Sequence, residues 1–385
     1  MQKPKILIFT SYYLPGYKAG GPIRSVSNII QNLGEDFDFY VVTKDRDSFE
    51  DKPYDSILVD QWNTIGDYKV FYASAAYLNF KGIKELITTN DYDCIYLNSF
   101  LSVKFSLYPV IANKRLRNRA SITLAPRGEF SKGALEQGSI KKKLFIWTSR
   151  IFKIHNNVKW HASTTYEEKD IENAMGNSAR KIVVAPNIPA IGNGITQDSN
   201  AHDYKNFNLV FLSRISRKKN LDFALNVLKE VKFSVDFDIY GLIDDQPYWS
   251  QCLKIIEELP DNIKVHYHGV ISHKEVTDKV AQSDLFFLPT KGENYGHAIV
   301  ESLLSGTPVL LSDQTPWRDL EKAGVGWDIS LKDPNLFLKA LNDYHIELSE
   351  NRQMSRKHIY EWITEKIDLK NIILKNKNIF ISQSS

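Results

Sequence analysis

Leu288-Pro289-Thr290-Lys291-Gly292-Glu293-Asn294-Tyr295-Gly296-His297-Ala298-Ile299-Val300-Glu301 reads as one step of α/β architecture. The apolar run ending at Leu288 is a buried strand, Pro289 ends it, Gly292 and Gly296 mark a short loop, and a helix begins near Gly296. The glycines let backbone come close to a ligand, and the amides of a helix start, with the dipole behind them, make an anion site. Glu301 falls about one and a half turns into that helix, where a carboxylate can take the paired hydroxyls of a ribose. Glu293, on the loop, looks toward whatever the phosphates carry. Taken alone, the segment also reads as a glycine-rich turn before a solvated helix.

A second strand end, upstream, points the same way. Leu209-Val210-Phe211-Leu212 runs into Ser213-Arg214-Ile215-Ser216-Arg217-Lys218-Lys219, which sets Arg214 at a strand end and Lys219 at a helix start. Two cations beside a helix N-terminus suit a diphosphate; by themselves, four basic residues in six also fit solvated surface.

Outward from these segments, short β-rich runs alternate with helical periods along the whole chain, the pattern of parallel sheets covered on both faces. Strands are expected near 5–10, 38–43, 68–72, 94–98, 121–124, 158–162 and 181–184, with helices near 22–33, 80–89, 102–117, 139–153 and 165–175. The period stops between Pro186 and Phe207, around Pro189, Gly192 and Gly194, and then restarts. We therefore expect two doubly wound Rossmann-like domains, 1–186 and 208–355, joined by a linker over 187–207. In such a pair, ligand loops at the strand C-termini would face each other across one cleft.

Composition agrees with a two-domain globular protein: 385 residues, 43% hydrophobic and 25% charged. Cys94 and Cys252, far apart and among apolar residues, exclude a disulfide framework and a four-cysteine zinc site, and fit a reducing compartment. The apolar run Ile6–Phe9 is too short for a signal peptide and reads as a first strand. The stretch 94–112, broken by Asn98, Ser99, Lys104 and Ser106, falls short of a membrane span.

Several familiar signatures are missing. Gly192-Asn193-Gly194 follows no strand and lacks a third glycine, and Gly128 to Gly133 has P-loop spacing but continues Ala134-Leu135. No nucleophile elbow and no zinc-protease helix occur. The pairs Asp36/Asp38, Asp91/Asp93 and Asp236/Asp238 sit at strand starts, where alternation produces them without a metal. His155 and His161 flank a strand and read as packing or capping residues.

With these segments in hand, the chain resembles the family 4 glycosyltransferases of the GT-B fold, nucleotide-sugar-dependent retaining enzymes that build polysaccharides and glycolipids. Glu293-x7-Glu301 followed by Ser302-Leu303-Leu304-Ser305-Gly306-Thr307-Pro308-Val309 is similar to that family's most specific signature, and Arg214 with Lys219 to its diphosphate-binding pair. Tyr13-Leu14-Pro15 with Gly20-Gly21-Pro22 resembles its N-terminal loop. His161-Ala162-Ser163-Thr164-Thr165-Tyr166-Glu167 resembles the turn before its linker, and Tyr267-His268-Gly269 the strand end beside its nucleoside. Ala125-Pro126-Arg127-Gly128-Glu129-Phe130 resembles a segment of its cell-surface polysaccharide subgroup, with Arg127 where many relatives carry a histidine.

The resemblance implies transfer of a sugar from a nucleotide diphosphate sugar to a saccharide or lipid-linked saccharide, with retention. Arg214, Lys219 and the helix start at Gly296, His297 and Ala298 would hold the leaving diphosphate, Glu301 the ribose and Glu293 the donor sugar. Gly20 and Gly21 would let the first loop approach, and Arg127 would stand at the acceptor side. No metal and no cofactor beyond the donor is expected. The segment 356–385, with Trp362, would cross back to the first domain. Rival readings are a GT-B epimerase, which would turn over donor without acceptor, and a phosphorylase, whose pyridoxal-phosphate lysine site is not found. A nucleic-acid-binding protein would need aromatics among its basic residues, and Lys114 to Arg119 contains none, so no nucleic acid is expected as partner.

Charge divides unevenly. Residues 1–190 hold 26 basic against 19 acidic residues, net +7, and residues 191–385 hold 23 against 27, net −4. Within 101–160, 13 basic residues, among them Lys114, Arg115, Arg117, Arg119 and Lys141 to Lys143, face only Glu129 and Glu136. One reading is a solvated helix face; the other is a surface for anionic lipid, with Phe145, Trp147 or Phe152 dipping into it. The expected location is the cytoplasm, at the inner face of the cytoplasmic membrane if the acceptor is lipid-linked.

Overall fold

A computed structural model of the chain describes residues 2–116, 119–131, 134–135, 140–189, 206–350 and 354–381, with backbone alone at 273–274. Arg117, Gly133, Glu136 and most of the expected linker, including Gly192 and Gly194, lie outside the described residues. Two units result, 1–188 with 369–385, and 189–368.

The first unit is built on eight strands: β1 Lys5–Phe9, β2 Asp38–Lys44, β3 Trp62–Ile65, β4 Tyr68–Ala73, β5 Cys94–Leu97, β6 Ser121–Leu124, β7 Val158–Ala162 and β8 Lys181–Val184. Their order is β3-β4-β2-β1-β5-β6-β7-β8, parallel except for β3, which pairs antiparallel with β4. The strands β1 and β5 are buried almost throughout, as a parallel sheet covered on both faces requires. Trp160, Phe100, Phe130 and Leu97 fill one side of it.

The second unit carries β9 Phe207–Leu212, β10 Val235–Tyr240, β11 Ile263–Gly269, β12 Leu285–Leu288, β13 Val309–Ser312 and β14 Gly326–Ile329, in the order β11-β10-β9-β12-β13-β14 and all parallel.

The C-terminal return differs from the expectation. Helix Arg356–Lys366 belongs to the second unit: its apolar Ile359 and Ile363 are buried, Arg356 donates to Ser283 O at 3.0 Å, and a Cβ at Gly306 would lie 2.8 Å from that of Arg356. Only helix Leu369–Phe380 joins the first unit, where Asn376 donates to Pro186 O at 2.8 Å and Lys377 pairs with Asp36. Phe380 there packs against Phe37, Phe39 and Tyr96.

Candidate active site

In the second unit β9 lies between β10 and β12, so chain order reverses at that point and the loops leaving β9 and β12 become neighbours. Three hydrogen bonds fasten them. Asn220, in the left-handed region at φ 62, caps helix Leu221–Leu228 and donates its side-chain amide to Pro289 O at 2.9 Å. Lys218 O accepts from Lys291 N at 2.7 Å and from Thr290 Oγ1 at 3.1 Å. The residue between, Lys219, is thereby set against the β12 loop, and its ammonium pairs with the Glu293 carboxylate, both side chains mostly buried.

The rest of the loop is fixed from below. Gly292 N donates to Thr290 Oγ1 at 3.2 Å, Glu293 N to Gln314 O at 2.9 Å, and the Trp317 indole to Tyr295 O at 2.7 Å. Gly296 adopts φ 79 at the start of helix His297–Leu304, and a Cβ there would meet Ile299 Cδ1 at 2.7 Å; any other residue is strained twice over. The first-turn amides at His297 and Ala298 have no carbonyl of their own helix to bond, which suits an anion. Glu301 is buried in the second turn. Burial first, and the Glu301 charge second, raise the Tyr295 phenol. The Tyr295 hydroxyl has no hydrogen-bond partner among the described residues, and a ligand hydroxyl is the kind of group that would satisfy it.

Arg214 leaves the end of the same strand, yet its guanidinium is turned to Asp244 at 3.0 Å and is half exposed. Nearby, the Tyr267 hydroxyl donates to Gly241 O at 2.8 Å, and His268, stacked on Tyr240 with ring centroids 4.7 Å apart, lies 2.6 Å from Asp238 Oδ1. Lys219, Glu293, the helix start and Glu301 are thus held together by one pair of loops, with Arg214 at their edge.

Gly20, Gly21 and Arg127 belong to the first unit. There β1 sits between β2 and β5, which makes the loops after β1 and β5 neighbours. Gly20, at φ 65, precedes helix Gly21–Leu33. Asn98 donates to Pro22 O at 3.2 Å, and its Oδ1 accepts from Arg127 Nε at 2.8 Å. Arg127, itself at φ 56, also donates to Asn187 and to the Tyr96 hydroxyl, the latter at 2.6 Å. Tyr96 Oη lies 2.8 Å from His161 Nδ1, and His161 Nε2 lies 2.8 Å from Ala185 O. A carbonyl only accepts, so Nε2 carries the proton, Nδ1 accepts, and Tyr96 donates to it. Burial and then the Arg127 charge hold the His161 imidazole down at about 3, which keeps it neutral. The loop that carries Arg127 is pinned by Glu167, which accepts from Gly128 N at 2.6 Å and Ser163 N at 2.8 Å. No local pattern announced Asn98, Tyr96 or Asn187, since sheet order alone brings them to Arg127.

The aspartate pairs serve local structure: Asp93 accepts from Lys5 N at 2.8 Å, Asp236 from Asn206 at 2.6 Å, and Asp36 pairs with Lys377. Among the described residues no three His, Cys, Asp or Glu side chains are grouped to hold a metal ion, and no helix is long and apolar enough to cross a membrane. His155 is a packing residue, set against the rings of Phe100 and Trp160.

Residues 195–362 match the family described as Glycosyl transferases group 1. The chain is 23% identical over 285 residues, 72% of its own length and 76% of the relative's, to an uncharacterized 41.2 kDa protein in the cps region of Klebsiella pneumoniae. It is 23% identical over 189 residues, 47% of its length and 36% of the relative's, to the GtfA subunit of a UDP-N-acetylglucosamine–peptide N-acetylglucosaminyltransferase of Streptococcus agalactiae. In fold it is similar to the Anabaena HepE structure in complex with UDP and glucose, with a TM-score of 0.72, 18% identity, and 97% and 98% of the two chains covered. The second unit is thus similar to the glycosyl transferases of group 1, and the fold of the chain is that of the GT-B structures it resembles.

Proposed function

We propose that this protein is a glycosyltransferase that moves a sugar from a nucleotide diphosphate sugar to a saccharide or lipid-linked saccharide in cell-surface polysaccharide synthesis, with retention and without a metal ion. The observation that carries the reading is the mostly buried Lys219–Glu293 pair beside the start of helix His297–Leu304, a fixed cation and helix dipole where a leaving diphosphate develops charge. Arg214 adds a second cation, and its exposed pair with Asp244 costs little to break. Glu301 and Tyr295 take the ribose, Glu293 the donor sugar.

In the transfer, the bond from the anomeric carbon to the diphosphate oxygen breaks and a bond to the acceptor oxygen forms on the same face. The acceptor hydroxyl's proton passes to the departing diphosphate. Arg127, fixed by Asn98, Asn187 and Tyr96, binds the acceptor within the first unit, where Gly20 and Gly21 let the backbone of the first loop come close to a ligand. The cps-region relative and the UDP-sugar enzyme among the relatives support polysaccharide synthesis and make UDP the first nucleotide to try.

Melting curves with UDP, GDP and ADP and their sugars test the donor: a ligand at a hundredfold its dissociation constant adds about 2.7 kcal/mol. NMR of the product's anomeric proton reads the stereochemistry. No shift with any nucleotide, or an inverted product, would overturn the respective part.

A further inference from the structure

Helix Ile140–Ile151 is apolar on the side that faces away from the protein. At about 100° per residue, its protein-facing side is centred on Ser149, which is buried, with Phe145 and Ile146 packed on the core. The opposite side carries Ile140, Leu144, Trp147 and Ile151, exposed by 85, 56, 58 and 51%, and Phe152 just beyond the helix is exposed by 71%. Lys141 flanks this stripe on one side and Lys143 on the other, with Arg150 beside Lys143, and all three are exposed. Of the expected interfacial aromatics, then, Trp147 and Phe152 face outward, whereas Phe145 is packed edge to face against Phe100 at 5.3 Å.

We propose that this stripe is a docking surface for an anionic lipid bilayer, in which the helix lies in the plane of the headgroups. A soluble helix places its apolar stripe toward its core; a second stripe of large apolar side chains, bordered by lysines and pointed outward, is the arrangement of an interfacial helix. The helix has 12 residues and is about 18 Å long, enough to lie on a membrane and too short to cross one. Charge decides the kind of partner. The one described carboxylate within 101–160, Glu129, is turned inward, where it accepts from Ser99 Oγ at 2.7 Å, Phe100 N at 2.6 Å and Leu101 N at 3.0 Å. No other described carboxylate within 101–160 offsets the lysines of this helix. A second copy of the chain fits worse, because a two-fold interface sets a patch against itself and would oppose one lysine row to another.

Co-sedimentation of the full chain with vesicles, read without donor or acceptor, tests the surface apart from the transfer reaction. Binding to phosphatidylcholine vesicles containing phosphatidylglycerol is expected, with none to phosphatidylcholine alone and progressive loss as salt rises. Trp147→Ser and Leu144→Ser should each weaken binding about tenfold, and Lys141→Glu with Lys143→Glu by at least about tenfold, with melting temperatures unchanged. Equal binding to both vesicle types, binding to neither, or wild-type binding by Trp147→Ser would overturn the proposal. So would self-association without lipid that Trp147→Ser abolishes, since a second copy would then be the occupant.

Discussion

Lys219 and Glu293 stand 74 residues apart in sequence and share one mostly buried ion pair. The pair exists because β9 and β12 are neighbours and because Lys218 O holds the β12 loop in place. It also sets up a competition. Under the proposed roles, a diphosphate that takes the ammonium draws it from Glu293, and the released carboxylate is then available to sugar hydroxyls.

Lys219→Ala should lower kcat by two to three orders of magnitude at saturating donor, as loss of a preorganised charge donor does. It should also cost about 1–3 kcal/mol of stability, because Glu293 is left buried without its partner. Adding Glu293→Gln to Lys219→Ala should restore the stability and not the activity. Arg214→Ala, at an exposed and separately paired position, should cost on the order of tenfold in turnover and little stability. Steady-state kinetics with urea titrations on the three variants checks this; near-normal turnover by Lys219→Ala would remove the diphosphate assignment.

Glu293→Gln and Glu301→Gln should separate sugar from nucleoside. With Glu293 neutral, Lys219 no longer shares its charge, so free UDP should bind as tightly as before or more tightly, while transfer from the sugar donor falls. Glu301→Gln should weaken free UDP about tenfold, the cost of one charge-assisted hydrogen bond to a ribose hydroxyl. Calorimetry with UDP alone decides, and equal losses for both variants would refute the division.

Much of this was legible in the sequence because parallel α/β units write their order into the chain. The helix expected at 165–175 has those bounds, and the β12 loop ends at a helix as its glycines require. The hairpin partner β3 was missed although Ile65-Gly66-Asp67-Tyr68 carries a two-residue turn signal, with Gly66 at φ 57. Helix Arg356–Lys366 was assigned to the wrong unit, since amphipathic stripes in 356–366 and 369–380 do not state which surface each covers. The hold on Arg127 was not legible at all: its partners Asn98, Tyr96 and Asn187 lie 29, 31 and 60 residues away, and only the β5-β6-β7-β8 order aligns them.

Chelation should leave activity intact. The proposed site answers diphosphate charge with Lys219, Arg214 and helix amides, the roles a divalent ion fills elsewhere. Transfer measured after exhaustive EDTA treatment, with and without added Mn²⁺ or Mg²⁺, should agree within about twofold, far below the several kcal/mol a catalytic ion supplies. Loss on chelation and recovery on adding either ion would return attention to Asp91 and Asp93.

Two buried histidines should make the first unit acid-sensitive. Burial takes both His155 and His161 from the ordinary 6.5 to about 3, helped by the charge of Lys114 at the first and of Arg127 at the second. Because each folded-state pKa is depressed, the unfolded chain binds a proton between pH 6.5 and 3 that the folded chain does not. Their contribution is therefore lost as pH falls below 6.5, at about 1.4 kcal/mol per pH unit for each histidine. The two differ in what else they do. His161 orients Tyr96, so replacing it also disturbs Arg127. His155 has no hydrogen-bond partner on either ring nitrogen among the described residues and packs only on Phe100 and Trp160. His155→Phe should thus keep the fold and activity at pH 7.5, relieve an unsatisfied buried group, and reduce the acid slope by one proton. Urea midpoints from pH 7.5 to 4.5 for wild type and variant give the difference directly, with carboxylate contributions common to both. A slope in His155→Phe equal to that of wild type would show that His155 titrates alike in the folded and unfolded chain, against its burial beside the two rings.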